Sequence, residues 1–306
     1  MTPSQRTISH WKLRTRLLEL GRRTLVMGVV NITPDSFSDG GRFLDPQSAI
    51  ARALTLLADG ADLLDLGAES TRPGSQAGNP AEAHVSAEEE QARLLPVIEG
   101  ILKARPDTIL SADTYKSAAA RAAIAAGVEI INDVSGFTWD PAMPGVCATA
   151  GCGVVLMHTR GRPDEWRLQS KLPAKALIEA ICTGLSESLA VAAQAGISSE
   201  AVVLDPGYGF GKKFDENYTV LAHQDEFLAL GRPLLAGVSR KSFLGHTLAT
   251  LHGGNPAPVE ARETAGTAAL VTAILHGASI VRVHDVRPAV EAALIADAVL
   301  AASPGI

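Results

Sequence analysis

Eight short apolar runs, each closing on a polar motif and followed by an Ala- and Leu-rich stretch, limit the fold more than any other feature of this chain. The runs are TLVMGVVNIT from Thr24, ADLLDLGAES from Ala61, DTILSADTY from Asp107, VEIINDVSG from Val128, CGVVLMHTR from Cys152, AVVLDPGYGFGK from Ala201, PLLAGVSRKS from Pro233 and ASIVRVHDV from Ala278. Their length and β-branched content suit buried parallel strands. Helix signals stand between them. Asp45-Pro46 opens the first helix and Gly60 ends it, Ser86 with Glu89 forms a capping box for the second, Asp140-Pro141 opens another, and Pro288 lies near the start of the last. Strand and helix alternating in this way demand right-handed crossovers and a parallel sheet. The predicted fold class is therefore α/β, a (β/α)8 TIM barrel, because eight such units close more naturally than they lie open. Ahead of the first unit, WKLRTRLLELG alternates loosely and predicts a strand or hairpin plugging the N-terminal bottom of the barrel. No linker or low-complexity stretch divides the chain, so residues 1–306 read as one domain, with about 1–23 as an N-terminal extension.

Aromatic residues make up only 4% of the chain, so the core must be aliphatic, as suits strands covered by helices. The net charge of −6 gives no general attraction for nucleic acid or an anionic membrane, and an anionic substrate needs a local cationic site. Cys147, Cys152 and Cys182 lie in Ala-rich surroundings and read as buried free thiols in a reducing compartment. A metal pair is disfavoured, since no second pair or His partner completes it. The first residues carry no apolar stretch of signal-peptide type and no run is expected to span a membrane, so the expected location is cytoplasmic.

The polar residues fall where chemistry is done. Asn31, Glu69-Ser70-Thr71-Arg72, Asp113, Asn132-Asp133, His158, Asp205, Ser239-Arg240-Lys241, Arg282 and His284 all stand at the C-terminal ends of the expected strands, which meet at one face of a barrel. Each alone has an ordinary structural explanation: Asn31 as a turn before Pro34, Asp113 as a helix cap, Asp205-Pro206 as a turn, Arg240-Lys241 as a solvated loop end. Together they put polar groups from eight strands on one rim. Asp113, Asn132 and Asp205 offer acceptors and an amide that suit the edge of a flat heterocycle. Lys241, Arg282 and His284 offer positive charge for a phosphate group. Asn31 offers an oxygen suited to Mg2+.

Seven segments carry a family resemblance: VMGVVNITPDSFSDGG (Val26–Gly41), LDLGAESTRPG (Leu64–Gly74), SADTYK (Ser111–Lys116), IINDVSG (Ile130–Gly136), LDPGYGFGK (Leu204–Lys212), GVSRKSFLG (Gly237–Gly245) and RVHDV (Arg282–Val286). In this order they resemble the dihydropteroate synthase family, which joins a pterin pyrophosphate to p-aminobenzoate. The resemblance implies that Asp113, Asn132, Asp205 and Lys241 hold the pterin, with Met157 packed nearby. It implies that Asn31, Arg282 and His284 take the pyrophosphate, with Asn31 the ligand for a Mg2+ cofactor. It places Thr71, Arg72, Pro73, Phe210, Gly237 and Ser239 at p-aminobenzoate. Asp35 and Phe37 fall in a first mobile loop, and Asp35, Phe37, Lys241, Arg282 and His284 form the expected catalytic group. A homodimer through barrel helices away from the active face is also implied.

Two departures stand out. Strand five continues as Met157-His158-Thr159-Arg160-Gly161, with Thr159 where the family often has Met, and little effect is expected. The stretch SQAGNPAEAH lengthens the second loop, Thr71–Ser86, which is long, poor in large apolar residues and expected to act as a lid, with His84 a solvated residue in it. Two alternatives remain at this level. A methyltetrahydrofolate-dependent methyltransferase would share the pterin carboxylates and Asn but not the pyrophosphate groups. A catalytically silent pterin-binding paralogue would lack several site residues, and none of those mapped is missing.

Overall fold

The computed structural model describes residues 7–32, 45–70, 77 and 85–302. All eight apolar runs form strands: β3 (Leu25–Asn31), β4 (Leu63–Gly67), β5 (Ile109–Asp113), β6 (Ile130–Asp133), β7 (Gly153–Met157), β8 (Val202–Asp205), β9 (Leu234–Ala236) and β10 (Ala278–Val283). They close in the order β10-β3-β4-β5-β6-β7-β8-β9, every pairing parallel. Register aligns the strand ends in two sets: Gly67 stands opposite Asp113 and Asp113 opposite Asn132, while Met157 stands opposite Asp205 two residues further along, because Asn132 pairs with Val155. The C-terminal rim is thus built by strand pairing itself.

The helices pack outside as α1 (Pro46–Ala58), α2 (Ala87–Ala104), α3 (Ser117–Ala125), α4 (Met143–Ala150), α5 (Ala174–Gln194), α6 (Glu216–Ala222), α7 (Ser242–Thr247), α8 (Glu263–Leu275) and α9 (Val286–Ala301). Asp45 caps α1 by accepting from Gln47 N and Ser48 N, with Pro46 at the first turn, and the chain leaves past Gly60 at φ +103°. At α2 only half of the capping box forms: Ser86 accepts from Glu89 N, while the Glu89 carboxylate pairs with Arg93 one turn on. Asp140 does not start α4, which begins at Met143. Its carboxylate is shared: Oδ1 accepts from Ala142 N in the turn that leads into α4, and Oδ2 accepts from Ser117 N and caps α3 of the preceding unit. A carboxylate with two acceptor oxygens can serve orphan amides of both its own and a neighbouring unit.

β1 (Ser9–Lys12) and β2 (Leu17–Leu20) pair as an antiparallel hairpin under the barrel. Trp11, Leu13 and Leu20 are fully buried against the first layer of strand residues, Met27, Leu63, Ile130, Val155, Val203, Leu235 and Ile280. The indole N–H of Trp11 donates to Ala201 O at 2.8 Å. The hairpin closes the end opposite the rim, as its pattern predicts.

Two expectations need correction. Cys147 and Cys152 are buried free thiols, but Cys182 is only half-buried. α5 is, by length and composition alone, apolar enough to cross a membrane. Its Leu177, Ile178, Ile181, Leu185, Ser188 and Ala192 form one buried stripe, the pattern of a helix packed on a barrel.

Candidate active site

β4 is buried along its whole length yet contains a carboxylate, Asp65, with no exposure. A buried anion must be paired. Arg282 of β10 donates Nε to Asp65 Oδ2 at 2.6 Å, and Asn132 of β6 donates Nδ2 to the same oxygen at 2.9 Å. The Nη2 of Arg282 reaches Asp113 Oδ2 at 2.6 Å. Four strands are tied together by these bonds. At Arg282 burial opposes the charge, but Asp65 and Asp113 overturn it and raise the pKa. At Asp113 burial is the largest influence and raises the pKa against the pull of Arg282.

Across the mouth, Asp205 ends β8 and accepts from Gly207 N at 2.7 Å through Oδ1, while burial raises its pKa. Gly207 turns the chain at φ +72°, and a Cβ there would lie 2.0 Å from His158 O, so only glycine fits. The turn that follows is gathered around one buried ammonium. Lys212 Nζ donates to Gly207 O at 2.8 Å, His158 O at 3.2 Å and Phe210 O at 3.3 Å, and lies 3.0 Å from His158 Nδ1. Burial lowers Lys212 to about 7, whereas this ring of acceptors favours the protonated form. His158 is held neutral, by burial first and Lys212 second. It braces the turn from below and is not a group of the rim. The turn presents Phe210, over whose ring Lys241 Nζ sits 4.1 Å from the centroid. Met157, Tyr115 and Val134 form an apolar cluster with Phe210 and Trp139 packed against it, which gives the mouth an apolar wall beside its carboxylates.

Lys241 yields a pH prediction. Burial lowers its pKa to about 8, with Arg282 pushing the same way and Asp205 and Asp113 opposing. As pH rises through that value the free enzyme loses a cation from its mouth. kcat/KM for an anionic substrate is therefore expected to fall above about pH 8. Arginine stays charged throughout, so Lys241→Arg should move that limb upward even where it lowers the plateau. A wild-type limb at the ordinary lysine value, or one unmoved by the substitution, would place the titration elsewhere.

The remaining predicted residues divide. Asn31 ends β3 on the exposed rim, opposite Gly67. Ser239 Oγ lies 3.2 Å from His284 Nδ1 and accepts from His284 N at 3.3 Å, so these two act together. Gly237 lies between sides of the mouth: a Cβ there would be 3.9 Å from Asp205 Oδ2 and 4.0 Å from Arg282 Cβ. Arg240 takes the left-handed conformation at φ 59°, rare for a side chain of this size, and is held by two bonds to Asp285 at 3.0 and 2.6 Å. That twist sends Arg240 outward and its neighbour Lys241 inward. Asp133 is a turn residue, accepting from Ser135 N and Phe137 N. Glu69 pairs with Lys116 at 2.5 Å, and Lys116 also holds Glu90 of α2 at 2.7 Å. Asp35, Phe37, Thr71, Arg72, Pro73 and His84, with most of Thr71–Ser86, lie outside the described residues.

The pterin binding enzyme family matches residues 27–284, the span that holds the described rim, seven of the eight barrel strands and all but the first two residues of β3. Dihydropteroate synthase of Mycobacterium leprae is 41% identical over 287 residues, covering 92% of this chain and 95% of the relative. This chain belongs to the dihydropteroate synthase family. Dihydropteroate synthase of Xanthomonas albilineans, solved with 4-aminobenzoic acid, superposes at a TM-score of 0.83 with 39% identity over 96% of this chain and 99% of the other. The Yersinia pestis dihydropteroate synthase, in a sulfonamide drug complex, gives 0.84 with 38% identity and the same coverage. Dihydropteroate synthases are transferases, and the enzyme class and fold expected from the motifs hold.

Asp65 and Lys212 fall inside the motif segments LDLGAESTRPG and LDPGYGFGK, but neither is among the residues expected at the site. The signal for Asp65 is present in the sequence: one carboxylate inside the otherwise apolar run LLDLG. Thr159 lies past the strand and takes part in the packing beside Phe210. Its Oγ1 accepts from Trp166 Nε1 at 3.2 Å, and the Trp166 ring meets Phe210 edge-on at 5.1 Å. The indole N–H is shared with Gly161 O at 3.1 Å, so Thr159 is one of two acceptors that hold this aromatic neighbour of Phe210.

Proposed function

We propose that this barrel condenses 6-hydroxymethyl-7,8-dihydropterin pyrophosphate with p-aminobenzoate to give 7,8-dihydropteroate and pyrophosphate, with the described rim residues in the following roles. Asp113, Asn132 and Asp205 pair with the pterin edge, with Lys241 over it and Met157 beside it. Arg282, His284 and Asn31 face the pyrophosphate. Phe210, Gly237 and Ser239 border the arylamine, together with Thr71, Arg72 and Pro73; Asp35 and Phe37 complete the catalytic group. The observation that carries this is the opposition of carboxylates and cations across one mouth, with Arg282 anchored to two carboxylates on one side and Lys241 over Phe210 on the other.

The site fits Mg2+ held sparingly. Among the described residues no group of three His, Cys, Asp or Glu side chains could cage a metal, while Asn31 puts a carboxamide on the exposed rim. That donor set suits a hard cation that keeps water and phosphate oxygens as its other ligands. Bound there, Mg2+ would help to neutralise the pyrophosphate.

Substitution then proceeds at the methylene between ring and pyrophosphate. The C–O bond breaks and the electron pair leaves with pyrophosphate, towards Arg282 and His284. The pterin ring shares the positive charge left on the methylene. The arylamine nitrogen forms the C–N bond and loses its proton to water or to the released pyrophosphate. No side chain becomes covalently attached, so positioning and charge stabilisation supply the catalysis. Turnover with both substrates tests this. Dihydropteroate and pyrophosphate are expected in equal amounts, dependent on Mg2+. Pterin binding without product would support the silent-paralogue alternative.

The partner most consistent with the surface is a second copy of the chain. A groove of about 450 Å3 between α6, α7 and α8, away from the mouth, is lined by Leu221, Ala222, Leu244, Leu248 and Ala269. Exposed Tyr218 and Leu251 extend its apolar character. Sedimentation at twice 31.9 kDa is expected, and a monomer at micromolar concentration would remove the dimer.

A further inference from the structure

We infer that Asp65 is a positioning residue, one that keeps hold of Arg282 Nε while substrate takes Asp113 away from Arg282 Nη2, so that the guanidinium pivots towards the leaving pyrophosphate without losing its anchor. The inference rests on the roles proposed above for Arg282 and Asp113.

Depth separates the two carboxylates that share Arg282. Asp65 is level with Ser111, and Asp113 lies two residues further up the same strand. Two residues of strand are roughly 7 Å, so Arg282 is bound below through Nε and above through Nη2. A ligand entering from the rim meets the upper carboxylate first. Exposure agrees: the side chain of Asp113 is 16% exposed and that of Asp65 0%.

The two contacts also differ in what can replace them. Asp113 can exchange the guanidinium for N–H groups of a heterocycle, and burial, which raises its pKa, gives it the further option of a proton. Asp65 lies too deep for that exchange. Its Oδ1 is buried with no hydrogen-bond partner among the described residues, and all its bonds run through Oδ2 to Arg282 and Asn132. Breaking the lower contact would leave a buried anion uncompensated, so the upper contact is the one that opens. The same Oδ2 fixes Asn132, whose Nδ2 must point down to Asp65 and whose Oδ1 is then the atom turned to a ligand. One buried oxygen thus sets the orientation of a group on the pterin side and a group on the pyrophosphate side.

The test is a double-mutant cycle with Arg282. Asp65→Asn keeps shape but loses the charge and should lower kcat by about 100-fold, with KM for p-aminobenzoate within about threefold. In an Arg282→Ala background the same change should do almost nothing, because its effect runs through Arg282. Equal losses in both backgrounds, or wild-type kcat in Asp65→Asn, would overturn the inference while leaving Arg282 as proposed. Unchanged kcat in Arg282→Ala alone would instead remove the underlying role of Arg282. If Asp65→Asn fails to fold, Asp65→Ser enters the same cycle. In the wild-type protein, the Nε–H resonance of Arg282, assigned by its absence in Arg282→Ala, should remain slow to exchange with solvent when pyrophosphate and a pterin are added. Its loss on ligand addition would show that Asp65 lets go.

Discussion

Arg282→Ala should lower kcat by about 10²–10³-fold, with a much smaller change in KM for p-aminobenzoate. The guanidinium is the one described side chain that touches both Asp65 and Asp113, at 2.6 Å in each case, and its charge is reinforced by them. A cation fixed in this way needs no reorganisation when negative charge gathers on the leaving group, which is why its effect falls on kcat. The substitution also leaves two carboxylates without their cation, and stability should fall by about 3 kcal/mol or more. Rates must therefore be read on protein shown to be folded, by near-ultraviolet circular dichroism at low temperature. A folded variant with near-wild-type kcat would mean that Arg282 is only a strut between strands.

Asp205→Asn should weaken pterin binding by about 2–4 kcal/mol, measured by calorimetry with a pterin ligand. The carboxylate offers two acceptor oxygens to the amino and N–H groups of a pterin edge, and the amide replaces one of them with a donor. Oδ1 already accepts from Gly207 N, so the substitution is also constrained in which way it can turn. If the amide keeps its oxygen on Gly207, its NH2 faces the pterin donors. If it turns over, the amide N–H of Gly207 loses its acceptor. Either arrangement leaves a mispaired polar group in a mouth where Asp205 is only 6% exposed. Near-native affinity would reduce Asp205 to the turn residue that its Asp-Pro context also allows.

The barrel was legible because its signal is local and repeated: each strand is a short apolar run and each polar motif stands where that run ends. Register then pairs Asp113 with Asn132 and Met157 with Asp205 at the same end of the barrel without further instruction. The hairpin was legible for a similar reason, since Trp11 and Leu13 alternate with charged neighbours. What remained hidden depends on contacts across the barrel. Asp65 and Arg282 are 217 residues apart, and nothing near either says that they meet. Asp140 caps the helix of another unit, and His158 stands on the rim in sequence but under the turn in space, held by Lys212. Thr159 gained a role only once Trp166 folded back onto it. Motif positions identify which strand end a residue occupies; its partners are chosen by the closed sheet.

The central claim is that this mouth breaks the C–O bond by holding the departing charge, with no push from the amine. Positional isotope exchange measures that directly. Pterin pyrophosphate labelled with 18O in the bridging position is incubated with enzyme and Mg2+, without p-aminobenzoate, and then recovered. The label is expected to scramble into non-bridging positions in wild-type enzyme and to fall sharply in Arg282→Ala. A bound pyrophosphate that cannot rotate would hide the exchange, so the secondary deuterium isotope effect at the methylene is read alongside and should be well above unity. No scrambling together with an isotope effect near unity would contradict the claim, and direct displacement by the arylamine would take its place.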